Sequence, residues 1–308
     1  MRAAAILGLG SSMRDLRPFQ QESTEWVMGL PSDPANLDAI LVFGGDGTVH
    51  RHLSALVKLG LPVLVVPAGS GNDFARALGL LRVRDSLEAW RKFRSGSGNL
   101  RIVDLGLITP LIVEQRAACP EPAEGSPPVV DRGSVVYFSC AAGVGLDGEI
   151  SRRANALPRW LRAHGGYALS LPAALLRFRP VLLKLSVAGS SQSDEFLLRS
   201  QQPVTAAVFA NTPVYGGGMR VAPKAKMDDG LLDVCLIREM SKLKLLGVFP
   251  SVYFGRHLGI REVDYFAVSG ARVETERPLD VYADGEYVCR TPVEIGIAQG
   301  ALRVIGTA

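Results

Sequence analysis

Three observations predict an α/β protein of two domains, with a parallel sheet in the first and a mostly antiparallel sheet in the second. The chain has 308 residues, about twice an ordinary domain of ~150. Its first third holds two successive units of apolar strand, glycine turn and helix, the arrangement that crosses over into a parallel sheet with its turns on one edge. Its second half is dominated by short β-type runs.

Residues 3–9 read as the first strand. Their apolar stretch is too short for a secretory leader, and Arg14, Asp15 and Arg17 follow too soon. A polar segment leads to an amphipathic patch at 24–30, and Pro31 and Pro34 break the chain. Residues 40–43, Ile-Leu-Val-Phe, form the continuous apolar run that a strand covered on both faces requires. The run stops in Gly44-Gly45-Asp46-Gly47-Thr48. Three glycines in four positions predict positive φ and a backbone open to phosphate. Asp46 stands at the C-terminal end of a strand, where open α/β sheets place ligand chemistry, and a carboxylate beside phosphate predicts a bridging Mg²⁺. Thr48 either donates to that phosphate or caps a helix starting near Val49. An ordinary strand-to-helix turn accounts for the same residues.

Leu53, Leu56 and Val57 put the helix at 49–59 on one apolar face, and Gly60 and Pro62 end it. Residues 61–66 form a second buried strand, which runs into Pro67-Ala-Gly69-Ser70-Gly-Asn72-Asp73-Phe-Ala75. Asn72 or Asp73 either caps the next helix or acts at a ligand, with Ser70 and Asn72 meeting nucleotide and Asp73 adding to the electrostatics of a metal. A helix near 85–94 precedes the strand at 100–108, in which Asp104 lies among Ile102, Val103 and Leu105. A carboxylate in such a place needs a partner or a cation.

Residues 119–133 are turn-rich. β-type runs follow at 134–140, 181–188, 194–199, 203–210, 231–237, 263–269, 271–276, 279–283 and 293–297. The elements divide the chain at 1–107 and 108–298, with 299–308 free to return to the first domain as a final strand. Two helical insertions interrupt the second domain. Segment 151–180 carries Arg152, Arg153, Arg159, Arg162, Arg177 and Arg179 and no acidic residue, a pattern that suits either an anionic membrane surface or a solvated helix face. Segment 242–256 follows two lysines with large apolar groups, as core packing or a lipid-facing wall would.

The formal charge of +4 is too mild to imply nucleic acid. Cys119, Cys140, Cys235 and Cys289 are scattered without a C-x-x-C pair, which fits a reducing cytoplasm rather than a zinc or disulfide framework. The longest chargeless run, 200–219, cannot supply the ~20 apolar residues of a membrane span. The expected location is the cytoplasm, at most peripheral to the inner membrane face. A Walker A motif is absent, His50-Arg51-His52 lacks the aspartate of a protein-kinase catalytic loop, and Gly143-Val-Gly-Leu-Asp-Gly148 has the wrong spacing for a dinucleotide fingerprint.

Seven stretches, taken in order, resemble the lipid kinases built on the diacylglycerol kinase catalytic domain, especially the bacterial soluble branch similar to sphingosine kinases. They are Gly44 to Thr48, Pro67 to Ala75, Asp104-Leu-Gly106, Asn211 with Tyr215-Gly-Gly-Gly-Met219, Ala222-Pro223, Asp228-Asp-Gly-Leu-Leu-Asp233 and Asp284-Gly-Glu286. The resemblance implies a nucleotide-binding domain like that of NAD kinases and phosphofructokinases, a β-sandwich-like second domain, and an active site in the cleft between them. It implies ATP, Mg²⁺ and a lipid hydroxyl as phosphoryl acceptor. By motif match Gly44, Gly45, Asp46, Gly47, Thr48, Gly69, Ser70 and Asn72 would meet nucleotide, with Asp46 also close to the chemistry. Asp73 and Asp104 would join the acidic network around Mg²⁺. A structural Mg²⁺ would take the carbonyls of Lys226 and Leu231 and the carboxylate of Asp229. Asp284 would be the base, presented towards the cleft with Glu286 beside it, although locally Asp284-Gly285 is first of all a hairpin turn. The chain departs from the family pattern where the first strand ends in Gly8-Leu-Gly-Ser-Ser12 without Asn-Pro, and where His50-Arg51 replaces the usual Asn-Glu. A lipid kinase, a nucleotide- and lipid-binding relative without transfer, and an NAD kinase are the three readings. Asp46, Asp229 and Asp284 favour transfer, and the stretches 67–75 and 228–233 disfavour NAD kinase. The sequence leaves a homodimer open.

Overall fold

A computed structural model of the chain describes residues 1–20, 24–111, 134–158, 161, 166–188 and 195–307. The turn-rich segment 119–133, Cys119, Arg159 and Arg162 lie outside the described residues.

The first half contains β1 (Arg2–Leu7), a short α1 (Met13–Leu16), β2 (Glu25–Met28), β3 (Ala39–Gly44), α2 (Asp46–Leu59), β4 (Val63–Pro67), α3 (Asp73–Ala77), α4 (Val83–Arg94) and β5 (Leu100–Pro110). β3 and β4 are buried along their whole length, as their unbroken apolar sequences require. β1, β3 and β4 pair in parallel, with Ala3 against Ala39 and Ile40 against Val63. The amphipathic patch at 24–30 is the edge strand β2, parallel to β1. α2 starts three residues earlier than its apolar face predicts because Gly45 is extended and serves as N-cap, and it closes on Gly60 in the left-handed conformation at φ 64°.

The second half continues with β6 (Val136–Phe138), β7 (Ala141–Gly145), α5 (Leu146–Ala156), α6 (Gly166–Arg177), β8 (Val181–Ala188), β9 (Phe196–Ala210), β10 (Leu232–Arg238), α7 (Lys242–Val252), β11 (Val263–Val268), β12 (Gly270–Thr275), β13 (Asp280–Ala283), β14 (Glu286–Arg290) and β15 (Val293–Ile305). Its strands pair antiparallel. The two-domain α/β architecture is therefore present. One strand lacks a β-type sequence: Ala-Ala-Gly-Val-Gly of β7 is held as a strand because β9 and β13 pair with it on either side, so tertiary pairing overrides propensity.

The halves share a seam. β15 runs antiparallel to β5 along most of its length and ends parallel to β4, with Val304 against Val63. One hydrophobic core gathers β1, β3, β4 and the flanking helices, and takes in Leu302 and Val304 of β15 together with Cys140 and Met227. A second core lies within the antiparallel sheet around Phe138, Phe209, Val234 and Val281. Cys140 and Met227 thus carry the second half onto the first, at the end of the parallel sheet where both glycine turns lie.

Candidate active site

The two glycine turns touch. None of Gly44, Gly45 or Gly47 takes a positive φ, contrary to expectation; each is glycine because something stands where its Cβ would be. A Cβ on Gly44 would lie 2.5 Å from Thr48 Oγ1, one on Gly45 2.8 Å from Gly69 Cα, and one on Gly47 2.6 Å from Glu286 Oε1. Thr48 sits in the first turn of α2, packed on Gly44 and Gly8, so it does not cap the helix. Asn72 is the left-handed residue, at φ 54°, and its amide closes on Gly69 through Nδ2 to the carbonyl and Gly69 N to Oδ1, both 2.8 Å. Its side chain therefore builds the turn rather than capping α3. Ser70 is exposed at the tip. The first amides of α2, at Asp46 and Gly47, have no partner within the helix, and the helix dipole adds to them, so the turn presents an anion-binding end.

Asp46 reaches across to the second turn, where Oδ2 accepts from Asp73 N and Oδ1 from Phe74 N, both at 3.0 Å. Asp46 thereby caps α3, the role expected of Asn72 or Asp73. Asp73 is buried; its Oδ2 accepts from Gly217 N at 2.8 Å, while Oδ1 has no hydrogen-bond partner. Burial and the neighbouring Asp73 push the Asp46 carboxyl up to about 6, against the pull of its two amides. Burial likewise raises Asp73, partly opposed by Gly217 and Arg76. Two crowded carboxylates and an orphaned buried oxygen are hard donors of the kind a divalent cation takes, although no group of three or more acidic, histidine or cysteine side chains gathers there among the described residues.

Asp284 is placed differently. It and Gly285 both have positive φ, 51° and 84°, and form the two-residue turn between β13 and β14. The hairpin turn and the position expected to be functional are thus the same residues. The carboxylate, however, is directed inward and its side chain is 0% exposed. Oδ1 accepts from Cys140 N at 2.8 Å and Ala141 N at 3.3 Å; Oδ2 accepts from Ser139 N at 2.8 Å and Ser139 Oγ at 3.1 Å, and lies 3.2 Å from His50 Nδ1. Burial alone would raise this carboxyl, but the hydrogen bond and charge of His50 and the Ser139 and Cys140 amides together hold it below the usual carboxylate range. The expectation that Asp284 faces the cleft is corrected: the amides of the link from β6 to β7 take its lone pairs. Glu286 is exposed, with its carboxylate beside Gly47 at the start of α2.

Asp104 is also satisfied by backbone. Its Oδ2 accepts from Gly230 N at 2.8 Å and its Oδ1 from Gly300 N at 2.7 Å. These bonds tie the 226–231 loop to β15, so its carboxylate is spent on amides rather than turned to Asp46 and Asp73. Within that loop Lys226 and Asp229 are exposed and Leu231 is half-buried, and Asp229 Oδ1 accepts from Leu231 N at 3.1 Å.

Beyond Asp73 and Asp284 the second half offers an apolar cavity of about 70 Å³ under α5, α6 and α7, lined by Leu146, Ile150, Leu171, Val208, Leu245 and Phe249. Asp147 borders it, and Tyr215 Oη donates to Asp147 Oδ2 at 3.4 Å. Burial and then Asp147 push the Tyr215 phenol well up, with Asp284 and Asp73 adding smaller contributions. Sequence reasoning missed Asp147 and Ser139, met Gly217 within 215–219 and Cys140 among the cysteines without a role for either, and met His50 as a departure. A signal for Asp147 existed in 143–148: a Cβ on Gly143 would fall 1.6 Å from Asp147 Oδ2, and Gly145 enters α5 at φ 90°.

The arginine-rich segment has a counter-ion just before it. Glu149 pairs with Arg152 at 2.8 Å and Arg153 at 2.7 Å, which neutralises part of the charge the sequence places there. No helix among the described residues is long and apolar enough to cross a membrane.

Residues 19–108 match the diacylglycerol kinase catalytic domain, and residues 140–306 match the YegS C-terminal NAD kinase beta sandwich-like domain. A diacylglycerol kinase of Mycobacterium tuberculosis is 32% identical over 268 residues, covering 87% of this chain and 76% of that protein. A diacylglycerol kinase of Bacillus subtilis is 24% identical over 83% of this chain and 74% of its own length. Among solved structures, a diacylglycerol kinase from Bacillus anthracis superposes with a TM-score of 0.64 at 17% identity, covering 99% of this chain and 97% of that one. An NAD kinase from Archaeoglobus fulgidus in complex with ATP superposes with a TM-score of 0.52 at 16% identity, over 99% and 93% of the two chains.

Proposed function

This chain belongs to the lipid kinase family of the diacylglycerol kinase catalytic domain, and from that premise we propose that it transfers the γ-phosphoryl group of ATP to the hydroxyl of a lipid of the diacylglycerol or sphingoid kind. The observation that carries this reading is the meeting of Asp46, Asp73 and the His50–Asp284 pair at two glycine turns, with an apolar cavity in the second half of the chain.

The amides at the start of α2 and the turn at Gly69 and Ser70 take the phosphates, as a helix N-terminus does. Asp46 and Asp73 are the residues to hold Mg²⁺, which neutralises charge on the transferred group when bound. The Lys226 and Leu231 carbonyls with Asp229 are the candidate second site. Phosphoryl transfer asks the protein chiefly to position its groups; here Asp46 fixes α3 against α2, and the His50–Asp284 pair receives the hydroxyl proton. The cavity takes the acyl chain. At about 70 Å³ it is smaller than the ~150 Å³ that holds benzene, so entry requires α6 and α7 to part.

Those two helices also supply a surface for the lipid's source. Leu176 is 74% exposed and Leu243 84%, next to Arg177 and Lys242, and Lys242 Nζ donates to the Leu176 carbonyl at 2.6 Å; Phe254, just beyond α7, is 70% exposed. Exposed apolar groups with cations beside them suit an anionic bilayer. Cosedimentation with anionic but not neutral vesicles at low salt is the expected result.

The deciding experiment incubates the protein with γ-labelled ATP, Mg²⁺ and vesicles carrying diacylglycerol or a sphingoid base, with NAD in a parallel reaction. Labelled lipid is expected. Labelled NAD would move the chain to the NAD kinase reading, and ATP binding without any labelled product would mark a relative that binds without transferring.

A further inference from the structure

We infer that His50 is the group that takes the proton from the attacking lipid hydroxyl, on its Nε2, and that Asp284 is the residue that positions it. The inference rests on the kinase reading above but assigns the proton step to a side chain that the Asp-Gly-Glu turn does not contain.

The hydrogen bonds of Asp284 carry the argument. An ionised carboxylate has about four lone-pair sites, and five donors stand around this one: three backbone amides, the Ser139 hydroxyl and the His50 ring. With its side chain wholly buried, no hydroxyl can reach it without displacing one of them. A carboxylate so furnished is an anion held in place, and the depressed proton affinity of Asp284 agrees with that.

An ionised carboxylate only accepts hydrogen bonds, so the ring nitrogen facing it, Nδ1, carries the hydrogen. That fixes the tautomer and leaves Nε2 bare in the neutral ring. The His50 side chain is 12% exposed, so of the pair it is the member that a solute can approach. It stands one helical turn after Asp46 on α2, close to the amides that receive the phosphates and to Gly47 with Glu286. This is the logic of a histidine base oriented by a buried carboxylate.

The step balances without a further reactant. The lipid oxygen forms a bond to the γ-phosphorus, the bond from that phosphorus to the β,γ-bridging oxygen breaks, and its electron pair leaves with ADP. The hydroxyl proton goes to Nε2, and the resulting imidazolium is paired with the Asp284 anion. The charged group in contact with the ring is Asp284, with Asp46 one helical turn earlier on α2 and Arg51 next in sequence.

His50→Asn is the informative variant, because its amide can donate to Asp284 as Nδ1 does while offering no basic nitrogen. The expected result is a fold and ATP affinity like the parent's, with kcat for lipid phosphorylation reduced about a hundredfold or more and KM for the lipid little changed. His50→Asn running within a few-fold of wild type in kcat would overturn the inference and return the proton to Asp284. If the wild type labels no lipid at all, the kinase reading fails instead, and nitrogen-15 NMR of the folded wild-type protein still tests the pair. Hydrogen on Nδ1 with Nε2 bare is expected; the opposite tautomer would overturn the assignment.

Discussion

Asp46, half-buried, and Asp284, buried, are neighbouring carboxylates that are displaced in opposite directions. Asp46 accepts two amides but shares its space with Asp73, and burial plus that neighbour raise it to about 6. Asp284 is the more deeply buried of the two, yet four protein donors and a histidine hold it below the usual range. Burial by itself therefore does not say which carboxylate stays charged; the balance of donors against like charges does. The crowded pair is suited to a cation, and the satisfied anion is suited to orienting a neighbour.

Removing the anion is the strongest way to break this contrast. Asp284→Ala leaves the Ser139 and Cys140 amides buried without an acceptor, at ~1–3 kcal/mol each, and it frees the His50 ring. Urea unfolding should show a loss of about 2–5 kcal/mol, and lipid labelling should fall at least a hundredfold. The sign with pH follows from the lowered folded-state value: the contribution of Asp284 is fully present above the ordinary carboxylate range and disappears as pH falls through its lower folded value. Wild type and Asp284→Ala should therefore converge in stability in strong acid.

The crowded side predicts the reverse sign. The Asp46 proton affinity is raised in the fold, so its stabilising share is complete below about pH 4 and is lost as pH rises through about 6. From 3.8 to about 6, that is about 3 kcal/mol. Mg²⁺ should restore much of it at pH 7.5 and very little at pH 5, read as the shift in melting temperature on adding the salt. Asp73→Asn should erase the cation's effect, and a shift equal at both pH values would count against the pair as its site.

Two glycines sharpen the same picture on a smaller scale. A Cβ on Gly69 would meet Gly45 Cα at 2.4 Å, backbone against backbone, whereas one on Gly47 meets only the end of the Glu286 side chain. Gly69→Ala should cost ~1–3 kcal/mol by overpacking. Gly47→Ala should stay within ~0.5 kcal/mol and lose ATP affinity by calorimetry, because the displaced Glu286 carboxylate then lies across the phosphate amides.

The smallest effect belongs to Asp229→Ala. Its carboxylate accepts from Leu231 N within its own loop, and Asp104 holds that loop independently through Gly230. The cost in chelator should be about 1 kcal/mol or less. A clearly larger loss once Mg²⁺ is present would sharpen the case for a metal on Lys226, Asp229 and Leu231.

The sequence by itself determined the architecture and the region of the site. Buried runs such as 40–43 and 63–66 can only be strands covered on both faces, and two such runs ending in glycine turns must bring those turns to one edge of a parallel sheet. The motifs from Gly44 to Glu286 also marked the family correctly. What each residue does there was decided by tertiary structure. Asp46 caps a helix 27 residues away, and Gly44, Gly45 and Gly47 are needed for close packing rather than for unusual φ. Asp284 turns into amides 143–145 residues back in the chain. His50, a departure when read along the chain, lies against that carboxylate from a different domain. Local sequence specifies backbone preference and which face is apolar, because both act over a few residues. The partners of a buried carboxylate come from wherever the fold supplies unmet amides and rings, and only the folded chain brings those together.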